Sequence, residues 1–377
     1  MLDRIILFPY YLYLKGRNAW YNKGGKRVKT AEVPTLCVGN VTAGGTGKTP
    51  HVEMIVSLLG EIPQWAGCHP AVLSRGYKRE SKGFQQVLQD SSVTLSGDEP
   101  LQIKKNCPNA TVAVDKDRVE GCHLLVHPEL LKNGKNSSRC WNPDFPPADI
   151  IILDDAFQYR RLKASRSIVL VDYNRPVFKD SLLPFGRLRD LPERIADADA
   201  LIISKCPEDL EESNRSELAS KLGFVSYDSQ SCIATRADGR RQLLFFTKTG
   251  YSAPVPVFPD GESRYIYSRK IIVMTGIAKD TPFCKLLSDS YKIVRRFSFP
   301  DHHNYSWSDI NKLRSALRKY PTAAIATTQK DAQRLLEVKG MPREISDRMF
   351  MVPIKSVFLS ENEKTVFKDF LASLKTA

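Results

Sequence analysis

Between Pro34 and Leu59 the chain passes from a short apolar strand through a glycine-rich turn into an apolar helical stretch, and few folds accommodate that succession. The turn, Thr42-Ala-Gly-Gly-Thr-Gly-Lys-Thr49, has the spacing of a phosphate-binding P-loop except that Thr42 stands where the first glycine belongs. Gly44, Gly45 and Gly47, with Thr46 between them, let backbone N–H groups point inward at a phosphate, and the following helix adds the positive end of its dipole. Lys48 is then placed for the β- and γ-phosphates of a nucleotide, and Thr49 offers a hydroxyl to Mg2+. A glycine-rich loop alone is weak evidence. One that leaves a strand, opens a helix and ends in Gly-Lys-Thr is specific.

The rest of the chain supplies a sheet for such a loop. Residues 71–74, 111–114, 149–154, 167–172 and 200–204 are short apolar runs without polar alternation, separated by helical stretches. Strands of that kind belong to a parallel sheet covered on both faces, and functional residues then sit at the strands' C-terminal ends. Asp154-Asp155 closes the run Ile150-Ile-Ile-Leu153, which is the position of metal-holding acids in P-loop enzymes. Residues 223–268 carry short strands and prolines with no helix and read as a connector or hairpin. A second α/β unit opens at Lys270, runs through the strand ending at Thr328, and finishes in an amphipathic helix near 361–374. The expected architecture is α/β: a P-loop NTPase-type, mostly parallel sheet flanked by helices, with a smaller second α/β lobe. The expected segments are 1–30, 31–222 (the P-loop core), 223–268 and 269–377. The polar stretch 127–147 reads as a surface insertion.

A length of 377 residues, 42% of them hydrophobic, suffices for two such lobes. The eight cysteines form neither a Cys-x-x-Cys pair nor a Cys/His cluster, which points to free thiols rather than a disulfide framework or a zinc finger. The net charge of +14 calls for an anionic partner: nucleic acid, a membrane surface or a polyanionic substrate. The N-terminus bears on that choice. Its apolar, aromatic run from Ile5 to Leu14 is too short to span a bilayer, and its basic residues (Lys15, Arg17, Lys23, Lys26, Arg27, Lys29) follow the run instead of preceding it as in a secretory signal. This arrangement suits a membrane-surface helix with Trp20 at headgroup level and the cations on anionic lipid. The alternative is a first helix packed on the core. No RNA- or DNA-binding signature accompanies the charge, so no nucleic-acid partner is expected.

Other groups are ambiguous taken singly. Asp98, in Gly97-Asp-Glu-Pro100, is either a reactive carboxylate or a turn and helix cap; His302 belongs to a doublet of a kind often found idle on surfaces; loop arginines such as Arg75, Arg187 and Arg189 either clamp phosphate or are solvated.

In order along the chain stand residues 38–50, Ser-Arg-Gly-Tyr (74–77), Gly-Asp-Glu-Pro (97–100), Asp-Arg (117–118), Leu-Asp-Asp-Ala-Phe-Gln-Tyr-Arg-Arg-Leu (153–162), Leu-Leu-Pro-Phe-Gly-Arg-Leu-Arg-Asp (182–190), Gly-Ile-Ala (276–278), Asp-His-His-Asn-Tyr (301–305) and Thr-Thr-Gln-Lys-Asp-Ala (327–332). This set resembles the tetraacyldisaccharide 4'-kinases, the lipid A 4'-kinases of Gram-negative bacteria, over nearly the whole chain. The resemblance implies ATP- and Mg2+-dependent phosphorylation of the 4'-hydroxyl of a tetraacyldisaccharide 1-phosphate, at the cytoplasmic face of the inner membrane. It implies Asp98 as the base, His302 as its partner and Lys48 as the catalytic lysine. Thr49, Asp154 and Asp155 then hold the metal, with Asp190 as an addition, and Arg75, Tyr77, Arg118 and Arg189 clamp substrate or phosphate. Ala156, Tyr159, Arg187 and Gln329 depart from the usual family text. A P-loop switch-type ATPase or GTPase is the alternative, although the lysine common before its double glycine is here Ala43.

Overall fold

The computed structural model describes residues 7–23, 28–132, 144–277 and 279–376. Ile5, Ile6, Lys26, Arg27, Ala278 and most of the expected insertion 127–147 lie outside these. Among the described residues, eleven strands form the larger sheet. Its parallel centre consists of β1 (Thr35–Gly39), β2 (Pro70–Ser74), β4 (Thr111–Val114), β5 (Ile150–Asp154), β6 (Arg166–Asp172) and β7 (Ala200–Ser204), ordered β7-β6-β1-β5-β2-β4. The antiparallel β3 (Gln85–Val87) closes one edge beside β4.

The lack of alternation along the central strands has a direct cause. Successive side chains enter two different cores: Leu36 and Val38 of β1 join Val72, Ile150 and Ile152 on one face, while Cys37 joins Leu73, Ile151 and Leu153 on the other. The first face is covered by α2 (Lys48–Leu59) through Val52, Ile55, Leu58 and Leu59. The second is covered by α4 (Arg118–Val126) through Cys122, Leu124 and Leu125, and by α1 (Phe8–Asn22) through Leu14. Both faces are covered, so the residues in the middle of these strands are apolar or small, and charged residues are confined to the strand ends. Between them, α3 (Asp98–Asn106) leads into β4.

Two packing relations go beyond the expected segments. Residues 223–268, expected as a connector or hairpin, contain the hairpin β8 (Phe224–Asp228) and β9 (Ile233–Arg236), which extends the sheet edge, and β10 (Arg241–Tyr251), which pairs in parallel with β7. They follow α5 (Glu212–Lys221). The last helix, α9 (Glu361–Ala372), belongs by packing to the first lobe, because Phe367, Phe370 and Leu371 enter the core beneath α2. The rings of Phe245, Phe358 and Phe367 meet at centroid distances of 5.0–5.8 Å and pin it there.

The second sheet is ordered β14-β13-β11-β12, all parallel, from β11 (Lys270–Thr275), β12 (Lys292–Ser298), β13 (Ala324–Thr328) and β14 (Met349–Val352), with Val255–Pro256 antiparallel at its edge. Helices α6 (Thr281–Ser290), α7 (Trp307–Lys319) and α8 (Gln329–Leu336) pack around it. Two chain passages join the lobes: the far half of β10 and the returning β15 (Ile354–Phe358), paired antiparallel from Thr247↔Phe358 to Tyr251↔Ile354. Both sheets turn the C-terminal ends of their parallel strands toward the space between the lobes.

Candidate active site

The P-loop opens where β1 ends. Gly44, Gly45 and Gly47 have φ of 70°, 71° and 82°, a region that side-chain-bearing residues rarely adopt. A Cβ on Gly44 or Gly45 would face open space, so the loop is a cradle with an unobstructed mouth. Its walls are tied down from behind: Asn40 donates to the Thr46 hydroxyl at 2.5 Å, Ser204 donates to the Thr46 carbonyl at 2.9 Å, and Ala43 N–H donates to the Arg187 carbonyl at 2.6 Å. Lys205, at the tip of β7, donates to the Gly45 carbonyl and to Asp172 at 2.6 Å. Sequence reading missed Lys205, although its place after a central strand beside the loop is the signal that finds it.

Asp154 and Asp155 stand at the tip of β5 in different electrostatic surroundings. Asp155 pairs with Lys48 at 3.6 Å and with the Arg189 guanidinium. Although burial opposes its charge, Lys48 and Arg189 hold it down at about 2. Asp154 is pushed up to about 7, chiefly by burial and further by the nearby charges of Glu99 and Asp155. One Asp154 oxygen accepts from the Ser74 hydroxyl at 2.9 Å; the other, Oδ1, is buried without a hydrogen-bond partner among the described residues. An orphaned carboxylate oxygen beside a second carboxylate suits a hard divalent cation, whose charge would reverse the upward shift.

Two features put Asp98 at the cleft. Gly97, with φ 88° and ψ 153°, takes a conformation essentially reserved for glycine and swings the chain into α3. Pro100 then occupies the helix's first turn. From the other lobe, His302 (φ 63°) reaches back so that its Nδ1 lies 3.0 Å from Asp98 Oδ2. Its Nε2 is 3.1 Å from Lys330 Nζ. The same Nδ1 also lies 3.0 Å from the Arg334 guanidinium, so His302, Arg334 and Asp98 Oδ2 meet in one three-way contact. Arg334 of α8 also contacts Asp98, and Lys330 lies 3.7 Å from it. Although burial opposes the charge, the His302 hydrogen bond and the Lys330 and Arg334 charges hold Asp98 well below the usual carboxylate range. Arg334 carried no motif signal; Lys330 lay within a quoted motif without a role. The turn bearing His302 is fixed by Asp331, which accepts from Gly276 N–H at 3.0 Å and from Thr328 at 2.6 Å. His303 turns away, stacked on Phe299 at 4.5 Å and bonded to Asp309, so the doublet divides into one cleft residue and one packing residue.

The remaining expected site residues separate. Arg75 and Tyr77 are exposed at the mouth, with the Tyr77 ring edge-on to His302 at 5.7 Å. Arg189 spans Asp155 and Asn40. Arg118, expected as a clamp, is instead buried beneath Asp154, bonded to the carbonyls of Asp115 (2.6 Å) and Asp154 (3.3 Å). Asp190, expected as an additional metal ligand, is fully buried and committed to α1: Arg17 donates to it at 2.9 Å and Asn18 at 3.0 Å. Of the departures, Tyr159 donates to Asp117 at 2.7 Å at the start of α4, and Gln329 donates to Asn106 across the lobe contact at 2.7 Å.

Comparison with known proteins bears on the family and the fold. The tetraacyldisaccharide-1-P 4'-kinase family model matches residues 4–375. The chain is 35% identical to the tetraacyldisaccharide 4'-kinase of Porphyromonas gingivalis over 365 residues, covering 94% of this chain and 91% of the relative. It is 32% identical to that of Flavobacterium johnsoniae over 369 residues, covering 96% and 95%. A crystal structure of LpxK from Aquifex aeolicus in complex with ATP superposes with a TM-score of 0.68 at 26% identity, covering 99% of each chain. With the fold, the P-loop and the paired acids already in place, the chain belongs to the tetraacyldisaccharide-1-P 4'-kinase family.

Proposed function

We propose that the chain transfers the γ-phosphoryl group of ATP to the 4'-hydroxyl of tetraacyldisaccharide 1-phosphate, with Asp98 as base, at the cytoplasmic face of the inner membrane. The observation that carries the assignment of roles is the Asp98–His302 contact: a carboxylate held ionised by the second lobe, one residue before Glu99, whose charge acts on Asp154. The backbone of Gly44, Gly45, Thr46 and Gly47 cradles the phosphates, and Lys48 neutralises the β/γ oxygens. Thr49, Asp154 and Asp155 are the residues that would hold Mg2+, which when bound neutralises charge on the phosphate oxygens. Asp98 accepts the 4'-hydroxyl proton as that oxygen bonds to the γ-phosphorus and the bond to the ADP oxygen breaks. His302, Lys330 and Arg334 orient Asp98 and keep it charged. Because His302, Lys330 and Arg334 come from the second lobe, the base is complete only when the lobes meet, which favours the lipid hydroxyl over water as acceptor. Arg75, Tyr77 and Arg189 line the entrance where anionic groups arrive.

The membrane role rests on α1. Its inner face is anchored by Leu14 and Asp190, whereas Phe8, Leu12, Tyr13 and Trp20 are 46–62% exposed. Among the described residues no helix is long and apolar enough to cross a membrane. A helix locked to the enzyme on one side and aromatic on the other suits the interfacial plane, where the acylated substrate resides. Radiolabelled γ-phosphate supplied as ATP with Mg2+ should appear in tetraacyldisaccharide 1-phosphate dispersed in mixed micelles, and the Lys48→Ala enzyme should leave it unlabelled. ATP hydrolysis without lipid labelling would point instead to a switch-type ATPase.

A further inference from the structure

At the end of the larger sheet opposite the P-loop, three side chains from two separate segments converge. Glu32 lies just before β1; His123 and His127 lie one helical turn apart at the C-terminal end of α4. The Glu32 carboxylate divides between them, Oε1 at 2.9 Å from His123 Nδ1 and Oε2 at 2.8 Å from His127 Nε2, and the imidazole centroids are 4.8 Å apart. All three offered ligand atoms lie within 4.8 Å of one another. Tetrahedral coordination at Zn–N and Zn–O bonds of about 2.0–2.2 Å requires ligand atoms about 3.4 Å apart, so small side-chain rotations admit an ion. We infer that Glu32, His123 and His127 form a binding site for a borderline transition-metal ion of the Zn2+ type.

A second observation points the same way. Glu129 Oε1 lies 3.2 Å from the other ring nitrogen of His127, Nδ1. A carboxylate on the far nitrogen fixes the tautomer that leaves Nε2 free for a metal, and such outer-shell partners recur in metal-binding histidines. Two imidazoles and one carboxylate select zinc-like ions over Mg2+ or Ca2+, which prefer oxygen ligands. The remaining coordination position is open to water, since Glu32 and His123 are each about half exposed (53%). The ion would fasten the segment leading into β1 to α4. It is separate from the phosphoryl-transfer site: β1 alone, five residues long, puts about 17 Å between Glu32 and the P-loop.

The test is calorimetric titration of Zn2+ into chelator-stripped full-length protein, with Mg2+ and a non-hydrolysable ATP analogue occupying the P-loop. The wild type should bind one more equivalent than His123→Ala/His127→Ala, and Glu129→Gln should retain the site with affinity lowered about 10-fold or more. Co2+ in place of Zn2+ should give visible d–d absorption in the wild type that the double variant lacks. Lipid-kinase activity reports that each variant is folded; should the double variant not fold, the Co2+ spectrum of the wild type and the Glu129→Gln affinity decide. Equal stoichiometry in wild type and double variant, or a wild type with neither a Zn2+ heat nor a Co2+ spectrum, would overturn the assignment.

Discussion

Replacing Asp154 with Asn should stabilise the nucleotide-free protein while disabling it. Asp154 is buried and its folded pKa is raised from 3.8 to about 7, by burial first and then by the charges of Glu99 and Asp155. The sign follows from linkage. In the unfolded chain the group ionises near 3.8, so above that pH the folded state bears the cost of either retaining a proton or burying the charge. Stability from this group therefore falls as pH rises from about 4 to about 7, and is lowest above 7. The gap between 3.8 and about 7 corresponds to about 4 kcal/mol at pH 8, and to about 2 kcal/mol at pH 5. Asn is uncharged, has nearly the same shape and can still accept from Ser74, so it should recover most of that. For a chain of this length the unfolding entropy near Tm is about 0.8 kcal/mol/K, which converts these figures to Tm gains of about 5 °C at pH 8 and about 2 °C at pH 5. Scanning calorimetry in a metal chelator measures both. Mg·ATP should then raise the Tm of the wild type by more than that of Asp154→Asn, reversing their order. A variant no more stable than wild type at pH 8, or an equal gain at both pH values, would mean that the Asp154 carboxyl does not carry this cost.

Arg334→Met removes a positive charge from Asp98, so the Asp98 pKa should rise and the acid limb of the kcat/KM profile should move to higher pH; an unmoved limb counts against Asp98 as base. His51, in the first turn of α2, joins the loop to both lobe connections, with Nδ1 at 2.7 Å from the Gly47 carbonyl, Nε2 at 2.9 Å from Thr247 and Nδ1 at 3.0 Å from Ser356. Burial lowers its pKa to about 4 and keeps it neutral. Thr247→Val strands the buried Nε2 and should cost about 1–3 kcal/mol in denaturant unfolding; no change would mean that water takes over the contact. Leu12→Glu with Trp20→Glu, both on the exposed face of α1, should abolish sedimentation with anionic vesicles and leave Tm within about 1 °C of wild type, whereas retained binding would relocate the membrane contact.

What was legible in the sequence is what local covalent demands dictate. The P-loop glycines need left-handed backbone, the central strands must be apolar on both faces, and Asp154-Asp155 ends such a strand; each requirement leaves its mark within ten residues. What was not legible depends on which distant surface a side chain meets. Asp190 reads as one more acid beside a functional loop, yet Arg17 and Asn18, more than 170 positions away, take both its oxygens. Arg118 reads as a free cation because nothing local shows that Asp154 will close over it. Arg334 acquires its contact with Asp98 only because α8 packs on α3 across the lobes. Residues 224–246 read only as short strands joined by turns, because an antiparallel hairpin needs no intervening helix, and nothing local shows that the strand after it returns parallel to β7.

In the proposed mechanism a carboxylate completed by the second lobe activates the lipid hydroxyl while the P-loop alone holds the nucleotide. The measurement that separates these roles is lipid phosphorylation and ATP binding by Asp98→Asn, side by side. The variant should keep an ATP Kd within about twofold of wild type while its kcat falls by about 10²–10⁴. Near-normal kcat in this variant would rule out Asp98 as the base, and loss of ATP binding in step with activity would rule out the division of roles between Asp98 and the P-loop.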